Sequence, residues 1–217
     1  MRFRLAKLSD VNEIVTLHYN VRDTYSVGFF SKMRKSFLKQ YYKIILNDPN
    51  EVVLCVEDNN GSLCGFASAS LDVEKQFENL RKHKISLAIA AVPSFIFNPK
   101  LIAETLKRYQ STDKKSDRKF VTATGARGEY WVWNPENKES IWATYLNNKH
   151  LEILYLMGAK TLSFEVDSEN DKVFKFSKMN GAIEQDRITL GDGRERILMS
   201  YDLKKKFTKI RIKKEEL

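Results

Sequence analysis

Apolar positions recur at two different periods along this chain, and the switches between them mark out its elements. Residues 2–6 alternate as a short strand. Ser9 or Asp10 then caps a helix through about Val21, with Val11, Ile14, Val15, Leu17 and His18 at helical spacing. A second helix is predicted from about Phe29 to Leu46, buried through Phe30, Met33, Phe37, Tyr41, Ile44 and Ile45. Residues 51–57 are a near-continuous apolar run, as in a strand covered on both faces. Asn60-Gly61 marks a hairpin, with 62–70 as the return strand. Residues 74–109 read as helical in two or three pieces, broken near Pro93 and Pro99, and a polar linker follows over 110–119. A long strand is predicted from Phe120 to Trp133. Its Gly125 and Gly128 suggest a bulge or a close backbone approach. A helix from about Lys138 to Met157 ends at Gly158, a suitable C-cap. Residues 160–166 form a strand, 169–180 a helix, and 183–190 with 194–203 a hairpin around Gly191-Asp192-Gly193. This order predicts an α/β fold on a mixed sheet, with a ligand at the strand ends.

Composition narrows the class. The chain has 217 residues, 42% of them hydrophobic and 12% aromatic, which suits a globular domain with a substantial core. We expect one domain over 1–203 and a basic tail over 204–217. The formal net charge is +9, and Lys204–Leu217 holds seven basic residues and two acids. A solvated end is the expectation for that tail, so nucleic acid is not an expected partner. The opening residues lack the apolar core of a signal peptide. The longest apolar run, Ile85–Val92 with Phe95-Ile96-Phe97 beyond it, is too short and broken to cross a bilayer of about 30 Å. A cytoplasmic protein without a transmembrane segment is expected. The patch Ile85, Leu87, Ile89, Val92, Phe95 and Phe97 is expected to pack against the domain, while a lid, a membrane contact or a homodimer face stays open. Cys55 and Cys64 flank the turn at Asp58-Asn59-Asn60-Gly61. They would face each other if Glu57 pairs with Ser62, and buried reduced thiols are expected. His18, His83 and His150 are dispersed, without metal-ligand spacing.

The richest segment runs from Trp131-Val132-Trp133-Asn134-Pro135 to Lys138-Glu139-Ser140-Ile141-Trp142-Ala143. It reads as a strand that stops at a proline and feeds a helix. Such a turn aims main-chain N–H groups outward, where they bind phosphate. Further on comes Asn170-Asp171-Lys172-Val173-Phe174-Lys175-Phe176-Ser177-Lys178-Met179-Asn180-Gly181. With Arg4–Ile14 and Gly65-Phe66, these segments resemble, in order and spacing, the GNAT superfamily of N-acetyltransferases over nearly the whole chain. The resemblance implies a GNAT fold: a mixed central sheet of about seven strands flanked by helices, with a helical insert at about 74–109 between strands 3 and 4. It also implies acetyl-coenzyme A as acyl donor, lying in a V-shaped gap between strands 4 and 5, and a small-molecule primary amine as acceptor.

By that resemblance, Val132 and Trp133 would meet the pantetheine arm through main-chain groups. Lys138, Glu139, Ser140, Ile141, Trp142 and Ala143 would cradle the pyrophosphate, and Asn170 would hold the pantetheine amide. Two departures stand out. Ile141 replaces a glycine of the family loop, and Ser177 replaces the tyrosine that commonly protonates the leaving thiolate. A non-catalytic GNAT-like binding protein is therefore the alternative. Glu129 is the candidate general base, with alternation along the strand placing it on the face of Arg127, Trp131 and Trp133. Tyr130 and Tyr145 could replace the missing acid. The insert, with Phe37–Lys43 upstream, is similar to GNAT proteins of bacterial surface-polysaccharide pathways, which implies an amino-sugar acceptor.

Overall fold

A computed structural model describes residues 1–22, 29–111, 124–189 and 195–208; side chains are described outside 107–111. Strand β1 spans Arg2–Leu5, and a single 3-10 turn at Leu8–Asp10 leads into helix α1, Val11–Asn20. Helices α2, Phe29–Lys32, and α3, Lys35–Ile45, replace the single helix expected over 29–46. The break falls at Arg34, whose backbone is extended and whose N–H is taken by Ser94 Oγ at 3.0 Å. Strands β2, Glu51–Glu57, and β3, Leu63–Ser70, form the expected hairpin. Three helices follow: α4, Val73–Lys82; α5, Lys84–Phe97; and α6, Lys100–Ser111. Then come β4, Arg127–Trp133; α7, Ile141–Leu156; β5, Thr161–Asp167; α8, Asp171–Met179; β6, Ile183–Thr189; and β7, Glu195–Asp202. Of the linker expected over 110–119, Gln110 and Ser111 instead belong to α6, while 112–119, the first strand residues at 120–123 and the turn at 191–193 lie outside the described residues. So does the tail beyond 208. Residues 203–208 are helical and packed, with Phe207 stacked on Tyr155.

The seven strands form one mixed sheet in the order β1-β2-β3-β4-β5-β7-β6. Every neighbouring pair is antiparallel except β4 and β5. The central strand β2 is apolar on both sides because both sheet faces are covered. Val53 and Cys55 join the cluster under α1 and α3, with Tyr42, Phe66 and Val132. Leu54 and Val56 turn to the opposite face and meet Leu146 of α7. A further cluster joins Leu151 and Leu154 of α7 to Leu162, Val166, Ile197 and Met199. Each such aliphatic side chain contributes about 1.5–3 kcal/mol by leaving water.

Two expectations need correction. Cys55 does not face Cys64. The hairpin register shifts between Val56 and Glu57, so Cys55 pairs with Phe66 and Cys64 is the extra residue opposite the shift. Both thiols are free and buried, and burial pushes the Cys55 thiol up to about 12. Pro93 does not break α5, which runs through it. The hydrogen bond that Pro93 cannot make belongs to Ile89, on a face open to water.

The apolar patch of the insert also departs from expectation. Leu87 and Phe95 pack on the core, and α5 is fastened to α3 by Ser36 Oγ to Ala90 O and Gln40 to Ser86. Ile85, Ile89, Val92, Ile96 and Phe97 remain exposed, Ile85 at 71% and Phe97 at 73%. Packing one stripe of α5 against α3 turns the other apolar stripe outward, because this helix has apolar residues on every side. Among the described residues, no helix is long and apolar enough to cross a membrane.

Candidate active site

The sheet is interrupted where β4 meets β5. The two strands run parallel and pair at one position, Arg127 with Ser163, sealed by Ser163 N–H to Ala126 O at 3.1 Å. Beyond it the strands carry no ladder toward their C-terminal ends. On its other edge β4 stays paired with β3 up to Trp133, and Asn134 N–H donates to Cys64 O at 2.8 Å. Strand alternation from that bond aims the peptide groups of Val132 at β3 and those of Trp131 and Trp133 into the gap. Of the two residues expected to meet a pantetheine arm, Trp133 therefore turns its peptide groups to the gap and Val132 turns its own to β3.

The register of β3 and β4 shifts between Ser68 and Ala69: Ser68 pairs with Tyr130, Ala69 with Gly128, and Glu129 is left as the extra residue. A bulge re-aims a side chain, and this one reverses the expected alternation. Trp131 and Trp133 pack on the α7 face of the sheet, with Leu54 and Val56. Tyr130 packs on the α1–α3 face, its ring 4.6 Å from that of His18. Glu129 joins Tyr130 on that side, where Tyr41 of α3 donates its O–H to Glu129 Oε2 in a short hydrogen bond. Burial, and then the Glu129 charge, push the Tyr41 phenol well above its ordinary value, so it stays a donor.

Glu51, at the head of β2, is the second carboxyl of this region. Burial, then Glu129, then Asp48 push it up to about 9, while Ser70 and Gln76 oppose the shift. His18 lies beneath the same strand, its Nδ1 2.7 Å from the Tyr42 hydroxyl, and burial holds it down to about 4. The imidazole is therefore neutral at pH 7.

The loop after β4 is compact. Trp133 Nε1 donates to Asn137 O at 3.2 Å, and Asn137 Nδ2 reaches Cys64 Sγ at 3.2 Å. Three N–H groups of the expected phosphate cradle are already engaged. Glu139 N–H goes to Asn137 Oδ1, Trp142 N–H to Glu139 O, and Ala143 N–H to Ser140 O. Lys138, Glu139 and Ser140 are exposed. Ile141 begins α7, and its side chain is 55% exposed.

Aromatic rings occupy the space behind the gap. Trp131 stacks on Phe176 of α8 with centroids 4.7 Å apart, and its Nε1 donates to Ala143 O at 3.0 Å. The helix that follows the parted strand is thereby tied to both β4 and α7. Asn170 Oδ1 caps α8 by accepting from Val173 N–H at 3.3 Å, which commits its oxygen to the fold. Ser177 is buried beside Tyr201. Of the other phenols, Tyr130 is packed against His18, and Tyr145 is exposed beside Trp142.

By sequence, no family model and no curated protein matches the chain. Solved structures do. A variant of spermidine N-acetyltransferase SpeG from Vibrio cholerae superposes with a TM-score of 0.57 at 16% identity, covering 94% of each chain. An N-acetyltransferase from Staphylococcus aureus Mu50 gives 0.59 at 14% identity over 93% of this chain and 98% of that one. The SpeG structure with manganese ions gives 0.55 at 14%, over 96% and 95%. The chain has the GNAT fold. Its seven-strand mixed sheet flanked by helices matches theirs. Among the described residues, no group of three or more His, Cys, Asp or Glu is placed to hold a metal ion.

Sequence reasoning missed Tyr41 and Glu51. Tyr41 read as one member of a buried stripe. Glu51 is the one acid heading an otherwise apolar strand run up to Glu57, and that incongruity was the available signal.

Proposed function

We propose that this protein is an N-acyltransferase that moves an acetyl group from acetyl-coenzyme A to a primary amine. The observation that carries the reading is the bulge on β4. It swings Glu129 off the tryptophan face and into hydrogen-bond contact with Tyr41, beside a gap bordered by the peptide groups of Trp131 and Trp133. The donor would supply an activated thioester, its arm hydrogen-bonded along Trp131 and Trp133. The remaining N–H groups of the Lys138–Ala143 turn, with the Lys138 ammonium, would face the diphosphate. Asn170, its Oδ1 committed to capping α8, would offer its Nδ2 to the arm. Glu129 would take the proton released as the amine attacks, directly or through one water, and Tyr41 would keep that carboxylate oriented. The names of the similar structures, spermidine N-acetyltransferase among them, support an amine acceptor. The amino-sugar acceptor implied by the insert remains a substrate to assay beside simple amines.

A specific observation favours the second reading, a GNAT-fold binding protein without acyl transfer. The Trp131–Phe176 stack fills the space behind the gap, and half of the six cradle residues have their N–H groups engaged. Calorimetry with acetyl-coenzyme A separates the two. Micromolar binding, with turnover lost in Glu129→Gln at unchanged donor affinity, supports the transferase. The absence of heat at millimolar donor concentration supports the binding protein.

A further inference from the structure

Helix α5 shows solvent an apolar stripe that acyl transfer leaves unused. Ile85, Ile89, Val92 and Ile96 follow at i, i+4, i+7 and i+11, which keeps them in one narrow arc of the helix for about 16 Å. Ala91 and Ser94, on the opposite arc, are the buried ones, so the helix is seated with this stripe outward. Ile89 is 67% exposed and Ile96 71%. Just beyond, α6 also exposes Ile102 and Leu106. Protein surfaces seldom leave such a run of large aliphatic side chains uncovered.

The charges around the stripe point to what covers it. From Arg81 to Ala103 the chain has four cationic residues, Arg81, Lys82, Lys84 and Lys100, and no Asp or Glu. Lys82 and Lys84 are exposed at the N-terminal end of α5, and Lys100 is exposed just past its C-terminal end. Arg34, between α2 and α3, lays its guanidinium 3.9 Å over the Phe97 ring. The acids that bound the segment are Glu78 and Glu104, and Glu104 is held by Lys32 at 3.0 Å. A second copy docked through this stripe would set lysines against lysines, whether the two α5 helices ran parallel or antiparallel. The stripe's own segment has no acid to separate them. An apolar stripe closed at both ends by cations instead matches an anionic bilayer surface. The aliphatic side chains enter the acyl boundary, and the ammonium groups stay at the level of the lipid phosphates.

We propose that the exposed stripe of α5 is a docking surface for an anionic membrane, with the helix lying flat in the headgroup layer. The protein beneath α5 takes the place of the polar face that a free interfacial helix would turn to water. This docking is independent of acyl transfer, and its test needs no acetyl-coenzyme A.

The test is co-sedimentation of the full chain with phosphatidylcholine vesicles, with and without phosphatidylserine, at low and high salt. The protein should sediment with the phosphatidylserine vesicles alone, and added salt should weaken that binding. Ile89→Ser combined with Ile96→Ser lowers the affinity at least about tenfold while the melting temperature holds. Lys82→Gln combined with Lys84→Gln, which keeps every apolar residue, lowers it about tenfold as well. The basic tail over 204–217 is intact in both variants, so binding that survives the double isoleucine substitution belongs to the tail and overturns the stripe. Equal sedimentation with neutral vesicles, or none with either kind, overturns it too. A dimer seen by analytical ultracentrifugation, dissociated by the isoleucine substitutions in a protein that ignores vesicles, would assign the face to a second copy and overturn membrane docking.

Discussion

Replacing Glu51 with glutamine should make this protein more stable, and by an amount that grows with pH. The folded carboxyl titrates at about 9, against an ordinary value of 4.5. Between those two values the unfolded chain has released a proton that the folded chain still holds. Stability is then highest below pH 4.5 and falls as pH rises toward 9, at up to about 1.4 kcal/mol per unit. At pH 7 the accumulated loss is about 3 kcal/mol. The substituted amide cannot ionise, keeps nearly the same volume and removes that slope. For a chain of this size, about 3 kcal/mol corresponds to a melting shift of roughly 6–12 °C. The assay is thermal melting by circular dichroism from pH 5 to pH 9, wild type against Glu51→Gln. The two curves should converge near pH 5 and separate steadily above it. A variant that melts lower than wild type throughout, or higher by the same amount at every pH, refutes the reasoning.

His18 and His150 are buried and held down to about 4, so below pH 6.5 the unfolded chain binds protons that the folded chain refuses. Their contribution is full above 6.5 and lost as pH falls toward 4. Set against the Glu51 slope, it places the stability maximum near pH 6.5, and a maximum above pH 8 in the melting profile would contradict this. Trp131→Ala should cost about 3 kcal/mol in chemical denaturation while raising acetyl-coenzyme A affinity in calorimetry; loss of stability without any gain in affinity would mean that the stack is no obstruction. Gly65→Ala would set a Cβ 2.5 Å from Trp133 Cε3 and 2.9 Å from Val132 O, so it should cost about 1–3 kcal/mol and shift tryptophan fluorescence, and a neutral melt with an unchanged spectrum would count against the close approach.

The architecture was legible because its signals are local. An unbroken apolar run and the turn at Asn60-Gly61 gave the hairpin of β2 and β3, helical spacing gave α1, and Gly158 marked the end of α7. The site was less legible because single-residue insertions reset it. Gly128 signalled a bulge, but not that Glu129 would be the extra residue, and that insertion sends it toward Tyr41 instead of Trp131. Pairing of Cys55 was misjudged for the same reason, a shift that depends on the partner strand. The exposed stripe of α5 was beyond reach because a helix apolar on all sides does not say which side its neighbour covers.

The lone β4–β5 pairing has a mechanical consequence. Strands β1 to β4 and strands β5 to β7 are two plates buttoned at Arg127 and Ser163, with Glu165 clasped between Arg127 and Arg196 close by. The Trp131–Phe176 stack and the core around Leu151 and Leu154 are other ties across that seam. The amide of Ser163, bonded to Ala126 O, should therefore exchange slowly and quicken when the clasp at Glu165 is cut.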